Sequence, residues 1–225
     1  MLAQTRLLLA FLAGYCDAAT FVHMKGVFSA HVTGNFILFA AAMTRGVTPE
    51  DYLKLLTFPV FVLAVAIATL IHVRSDRRAG LGKKTSGLCR VLSVVAVLLL
   101  LATALAVLDD PRADVAVTVL VVLAMGMQNT LHHFIAGPMT TVMTGTVMNT
   151  VAGWTEALMG AGHKPGMAGS VAGIWMIAVF ALGCVIAAFA TSRFGLVSLG
   201  LPALLALWVW TGERMAAGKA KEIVT

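Results

Sequence analysis

An aspartate lies near the middle of the first apolar stretch of this sequence. Asp17 falls within Leu7–Met24, a segment of mostly apolar residues that is long enough to cross a bilayer. A carboxylate at such a position costs roughly 2.5 to 3.5 kcal/mol on insertion scales, and it usually faces a protein interior or a wet cavity. Asp17 therefore either couples transport to protons or cations, or only hydrogen-bonds the opposite half of the chain, for instance Asn129 or a Thr hydroxyl.

A polar motif follows within the next apolar segment, residues 26–43. A threonine that precedes a glycine can cap a short helix, here predicted over 35–43. The N-terminus of that helix would carry a partial positive charge and unpaired N–H groups, which suit an anion or another hydrogen-bond acceptor. His31 is interpreted as pore-lining or as a buried hydrogen-bonding residue, and Asn35 as lining the site or satisfying backbone groups. The motif comprises His31, Thr33, Gly34 and Asn35.

The same order of residues occurs a second time. Gly14 and Asp17 correspond to Gly126 and Asn129 at an offset of 112 residues. The Thr-Gly pairs correspond at an offset of 111 residues. A period of about half the chain predicts two structural repeats, residues 1–108 and 109–225. We expect a substrate site where the two Thr-Gly helix ends meet at the midplane. The second copy contributes Asn129, Thr144, Gly145 and Thr146.

Composition places the chain in a lipid bilayer. Hydrophobic residues make up 60% of it and charged residues 12%, and the mean hydropathy is +0.93. That balance excludes an ordinary soluble domain. The net charge of +6 does not indicate nucleic acid, because the basic residues cluster in loops between apolar segments. The expected partners are the bilayer and a small solute.

The basic loop at residues 74–90 determines the predicted number of crossings. If this loop and both termini face the cytoplasm, an even number of spans separates them. Three apolar segments precede the loop and five follow it, so one in each half fails to cross. The sequence predicts an all-α membrane protein of six transmembrane helices, with two re-entrant Thr-Gly segments in two inverted repeats. The alternative is eight full spans.

The sequence gives little indication of a metal site, a disulfide framework or a catalytic site. His132 and His133 are adjacent, so on a helix they point about 100° apart, and no acid or cysteine cluster completes a metal site. Three separated cysteines, interpreted as buried small residues, indicate no disulfide framework. The sequence carries no HExxH motif, paired carboxylates or nucleophile with a base. We expect no enzyme, no metal and no cofactor.

The repeated motif resembles the bacterial YoaK family of multi-pass membrane proteins (DUF1275), a domain of unknown function. The resemblance implies an inner-membrane protein of about six spans with a role in transport and no assigned substrate or catalytic residue. It is carried by Gly14-Tyr15-Cys16-Asp17, Phe28–Asn35, Gly126-Met127-Gln128-Asn129 and Thr140–Gly145.

Two functions are consistent with these features. The first is a small transporter or channel for a small solute, an anion being one class, with Asp17 as coupling group. The alternative is a non-transporting membrane protein that binds a partner or assembles a complex. A homodimer suits either function. The expected location is the bacterial inner membrane, with both termini in the cytoplasm.

Overall fold

The described residues of the computed structural model, 3–79, 85–134, 143–160 and 167–222, are helical apart from short turns and loops and contain no strand. The predicted all-α class is confirmed. Several predicted features lie outside these residues: Gly137, Thr140–Val142, Lys83, Lys84 and the turn at 161–166. The elements are α1 (Ala3–His23), α2 (Gly34–Met43), α3 (Asp51–Ala79), α4 (Thr85–Ala106), α5 (Pro111–Phe134), α6 (Met143–Leu158), α7 (Met167–Phe194), a 3-10 helix (Gly195–Leu199) and α8 (Gly200–Glu222).

Most of the helices are long and apolar enough to cross a membrane. Within the described ranges, five apolar stretches meet that length and composition, and the fifth, Val171–Gly218, is 48 residues long. That stretch contains α7, the 3-10 helix and α8, so it is long enough for two crossings of about 30 Å. The chain is a multi-pass membrane protein.

The first Thr-Gly segment does not cross. Helix α2 has 10 residues and is therefore about 15 Å long, half the thickness of the hydrocarbon layer. The segment also returns to the end of the bundle from which it started, because His23 and Lys25 before it line the same cavity as Arg45 and Asp51 after it. Residues 26–43, the segment predicted to be re-entrant, therefore begin and end at the same end of the bundle.

Contacts at the two ends of the bundle fix the helix directions. At what we call the His23 end, the start of α5 meets the end of α1, since Asp114 lies 2.8 Å from His23. Gly195, just after α7, also lies against His23. At the opposite end, called the Thr5 end, the Thr5 hydroxyl of α1 donates to Glu213 of α8 over 2.8 Å. Helices α1 and α7 therefore run toward the His23 end, and α8 runs away from it.

Helices α3 and α5 both run toward the Thr5 end. Each begins at the cavity that contains His23, and near their other ends His72 stacks on Phe134 with ring centroids 3.7 Å apart. Helix α4 returns from α3 toward the start of α5. The division into two repeats, residues 1–108 and 109–225, stays a prediction.

The protein interior is formed mainly by α1, α4 and α5. Leu12, Leu99 and Val121 are completely buried between these helices. Helices α3, α7 and α8 instead expose large apolar side chains such as Leu63, Phe189 and Leu204. Continuous exposed apolar surface of this kind suits contact with lipid chains.

Candidate functional site

The candidate site is formed where the loop after α1 folds back along α1. Lys25 has a φ of 50° and Gly26 a φ of 99°, left-handed values that reverse the chain direction. The reversal brings residues 28–31 alongside Asp17. Asp17 is six residues from the end of α1, about 9 Å along the helix axis. The site therefore lies in the half of α1 that leads to the His23 end, about 6 Å from the helix midpoint at Ala13 and close to the middle position that was predicted.

Asp17 is buried, with 4% of its surface exposed, and holds this loop through its carboxylate. Oδ1 accepts the backbone N–H groups of Ser29 and Ala30, each over 2.7 Å, and more weakly that of His31 over 3.4 Å. Successive N–H groups that converge on one oxygen form an anion-binding concavity. Hydrogen bonds to a charged acceptor are stronger than neutral ones, so the loop stabilises a buried carboxylate.

His31 contacts the second oxygen of the same carboxylate. Its Nδ1 lies 2.6 Å from Oδ2 of Asp17, and 38% of the His31 side chain is exposed. The imidazole ring lies edge-on to Phe28 and Phe180, with centroid distances of 6.2 and 5.8 Å. Asp17 and His31 thus form one hydrogen-bonded pair, with the carboxylate buried and the imidazole accessible.

Asn35 fixes the loop from the opposite side. Its side-chain carbonyl accepts the N–H of Phe28, and its amide nitrogen donates to the Phe28 carbonyl, both over 2.8 Å. The same nitrogen donates to the Thr57 hydroxyl of α3. Asn35 is completely buried and does not line the cavity described below. Of the two interpretations left open for Asn35, the structure shows the one in which it satisfies backbone groups.

The Asp17 cavity, of about 630 Å³, lies beside this pair between α1, α2 and α7. Thr33 and Gly34 line it together with Asp17 and His31, as expected for the first copy of the motif. The proposed capping by Thr33 is wrong, because its side chain makes no capping hydrogen bond and its backbone is already helical. The remaining walls are apolar: Ala18, Phe21, Val22, Phe28, Ile37, Phe180 and Cys184.

The second Thr-Gly pair lies elsewhere. Thr144, Gly145 and Thr146 are all inside α6, which begins at Met143, so Thr144 does not lie before the start of a helix. Helix α6 packs on α7, and none of these three residues lines the Asp17 cavity. The expectation that two Thr-Gly ends meet at one site is therefore wrong for the described residues. The loop before α6 lies outside them.

Asn129, the counterpart of Asp17, is half-buried in α5 and does not line the cavity either. Its neighbour Gln128 is completely buried and donates to the Leu9 carbonyl of α1 over 2.9 Å. The contact between α1 and α5 therefore uses Gln128. Sequence analysis paired Asp17 with Asn129 by position, but the hydrogen bonds of Asp17 to residues 29–31 lie within its own half of the chain.

Two wall residues come from α7, which sequence analysis did not connect with this site. Phe180 and Cys184 reach the cavity because Gly14 lets α1 and α7 pack closely: a Cβ at Gly14 would clash with the Phe180 carbonyl oxygen. Cys184 and Cys89 are only partly buried, unlike Cys16, so the expectation of three buried cysteines is wrong for two of them. Within the described ranges no group of three metal-ligating side chains is present.

Comparison with known proteins gives one family and one curated relative. Residues 6–211 match the family described as a protein of unknown function, DUF1275. The relative is UPF0700 transmembrane protein YoaK of Bacillus subtilis (strain 168), which is 30% identical over 145 residues. That alignment spans 62% of this chain and 61% of the relative's length. No solved structure matches.

Proposed function

The chain belongs to the DUF1275 family of proteins of unknown function, and from that premise and the geometry of the Asp17 cavity we propose that it is a membrane transporter or channel for a small solute. Asp17 and His31 are the proposed proton-coupling pair. The observation that carries the proposal is the 2.6 Å contact between their side chains at the wall of a cavity of about 630 Å³. Ionisable residues inside membrane spans are rare, and they typically mark substrate or proton pathways.

The pair is suited to carry one proton. The backbone N–H of Ser29 donates to Oδ1 of Asp17, while Oδ2 faces the imidazole. The net charge of the pair is minus one with a neutral imidazole and zero with a protonated one. Because His31 is partly exposed to the cavity, gain or loss of this proton changes the charge that a bound solute meets.

The helix directions support alternating access. In the first half, α1 and α4 run toward the His23 end and α3 runs away from it. In the second half, α7 runs toward that end, and α5 and α8 run away from it. Corresponding helices therefore run in opposite directions, as inverted repeats require. Inverted repeats allow one half to rock against the other around a fixed site.

Helix packing supports the same proposal. Gly14 of α1 lies against the Phe180 carbonyl of α7, and its counterpart Gly126 of α5 lies against the Phe61 carbonyl of α3. Equivalent glycines thus make equivalent close contacts in the two halves. Helices α2 and α6 also pack on corresponding partners, α3 and α7.

The charge distribution suggests the orientation. Arg74, Arg77 and Arg90 lie near the Thr5 end, as do Arg6 and Arg214, whereas the loop at 109–114 at the other end is acidic. The positive-inside rule then places the Thr5 end, with both termini, in the cytoplasm. A bacterial inner membrane is the proposed location.

A second candidate function is partner binding, in which the chain assembles a complex without transport. The observation that favours it is the exposure of α6, where only Thr146, Thr150 and Gly153 are buried. Asn149 and Glu156 are exposed on the same helix. Polar side chains on an exposed membrane helix suit a contact with a second protein or a second copy of the chain.

Charge movement in reconstituted vesicles tests the proposal. Proteoliposomes adsorbed on a solid-supported membrane are exposed in turn to jumps of organic anions, neutral polyols and amino acids at several pH values. We expect a current for at least one class, whose size depends on pH in wild type and not in Asp17→Asn. The absence of current from every class, with protein that remains folded, would favour the partner-binding function.

A further inference from the structure

A second cavity adjoins the Asp17 cavity at the His23 end of the bundle. This cationic cleft, of about 430 Å³, is lined by three basic side chains, Lys25, Arg45 and Lys54, and by no carboxylate. The other lining residues are apolar or glycine: Phe21, Val22, Gly26, Leu38 and Ala41.

The cleft carries excess positive charge. Asp51, which lies outside the cleft lining, is the carboxylate that contacts Lys54 over 2.7 Å and Arg45 over 3.2 Å. No described carboxylate forms an ion pair with Lys25. The same three cations also line the neighbouring cavity, which adds Arg112 and the carboxylates of Glu50, Asp51 and Asp114. Four cations against three carboxylates leave a formal excess of one positive charge over the two cavities. A basic cleft with low-dielectric walls concentrates anions.

Burial strengthens this attraction. Lys54 is only 5% exposed, although an ammonium group strongly prefers water. It can donate three hydrogen bonds, and the structure assigns one of them, to Asp51. An anionic group in the cleft would supply further acceptors to a buried ammonium.

The cleft lies next to the Asp17 cavity. Phe21 and Val22 line both, so the basic side chains lie at one end of a path whose other end is apolar. Ile37, with 74% of its surface exposed, and Val22 show that this path opens toward the lipid-facing surface between α2 and α7. The walls thus have a polar head region and an apolar tail region.

We propose that this path binds an amphiphilic anion with one alkyl chain. Its phosphate or carboxylate head contacts Lys25, Arg45 and Lys54, and its chain lies along Phe21 and Val22 into the Asp17 cavity. A small hydrophilic anion would leave the apolar walls unused, and a neutral lipid would bring no anionic acceptor to Lys25. Binding itself does not depend on transport, but the identification of this ligand as the solute rests on the proposed function.

Thermal unfolding in phosphatidylcholine nanodiscs tests the binding. The fluorescence of the four tryptophans reports the unfolding. The probes are decyl phosphate, decanol, decyltrimethylammonium and inorganic phosphate. We expect only decyl phosphate to raise Tm in a concentration-dependent manner, because among these probes it alone combines an anionic head with an alkyl chain. An equal shift with decanol, or with inorganic phosphate, would overturn the proposal.

Matched variants locate the head and the chain. Lys25→Gln should weaken the apparent affinity for decyl phosphate about tenfold, the effect of roughly 1.4 kcal/mol. Arg112 lines the neighbouring charged cavity and not the cleft, so Arg112→Gln should leave the affinity for decyl phosphate unchanged.

Phe180→Ala should also weaken binding of decyl phosphate, whereas Phe189→Ala should not, because Phe189 lies on the same helix but is 72% exposed. Ile37→Ala gives a second cavity variant whose exposed position does not threaten folding. Equal affinities across each matched pair would contradict the assigned site.

Three further outcomes distinguish this proposal from two-chain lipid binding and from the proposed transport function. If phosphatidylglycerol in the nanodisc abolishes the effect of decyl phosphate, the cleft takes a two-chain lipid and the single-chain assignment is wrong. If decyl phosphate binds as expected but no solute produces a current in vesicles, transport fails while the binding site stands. If other solutes produce currents and decyl phosphate does not bind, only the present proposal fails.

Discussion

The backbone N–H of Ser29 donates to Oδ1 of Asp17 over 2.7 Å, so the chain's own carboxylate occupies donors of the re-entrant segment. The N–H groups of Ser29 and Ala30 belong to the loop before α2. They lie a few residues before the Thr-Gly pair that was expected to hold a substrate anion. The same physical principle operates, because converging N–H groups bind negative charge, but here the anion comes from α1.

Replacement of Asp17 should destabilise the protein in a graded way. Asp17→Asn keeps a carbonyl oxygen that can accept the N–H groups of Ser29 and Ala30, and loses the charge. Asp17→Ala leaves these donors unpaired, at about 1 to 3 kcal/mol each. We expect Tm in detergent to fall in the order wild type, Asp17→Asn, Asp17→Ala. Asp109→Asn, an exposed loop change, serves as the control, and an equal Tm for wild type and Asp17→Ala would exclude this role for the carboxylate.

The close contact between α1 and α7 predicts a strong effect at Gly14. A methyl group there would clash with the Phe180 carbonyl, so Gly14→Ala should destabilise the fold by roughly 1 to 3 kcal/mol through overpacking. Gly212→Ala is the matched control, since nothing lies within 4 Å of the added methyl group. Alanine favours helix over glycine by up to about 1 kcal/mol, so this second change should leave Tm equal or higher. Thermal unfolding of both variants measures the difference, and similar Tm changes would argue against the packing.

Asn35 should control the order of the loop at residues 28–31. Asn35→Ala removes both hydrogen bonds to Phe28 and the one to Thr57, so the amides of Ser29 and Ala30 should exchange hydrogen faster. Asn149→Ala, at an exposed position of the other short helix, should leave that exchange unchanged. Hydrogen exchange followed by mass spectrometry makes the comparison, and an unaltered loop in Asn35→Ala would refute the proposed role of Asn35.

Local signals in the sequence were sufficient for some parts of the structure and not for others. The length of the apolar segments predicted the long helices, and the density of polar residues after Asp17 predicted a segment that does not cross. The wall formed by Phe180 was not predictable, because no local pattern on α7 shows which helix packs against Gly14. The partner of Asp17 was also missed, because the left-handed values at Lys25 and Gly26 that fold the loop back are set by tertiary contacts rather than by residue type alone.

Sidedness of three arginines tests the number of crossings. In a variant without the native cysteines, Arg45→Cys, Arg77→Cys and Arg214→Cys are labelled one at a time with a membrane-impermeant maleimide on intact cells. With six spans and a re-entrant α2, Arg45 lies at the His23 end, whereas Arg77 and Arg214 lie at the opposite end. We expect label at position 45 in intact cells and at positions 77 and 214 only after permeabilisation. Eight spans would place positions 77 and 214 on opposite sides, so label at 77 with protection at 214 would restore that alternative and require the second Thr-Gly segment to cross.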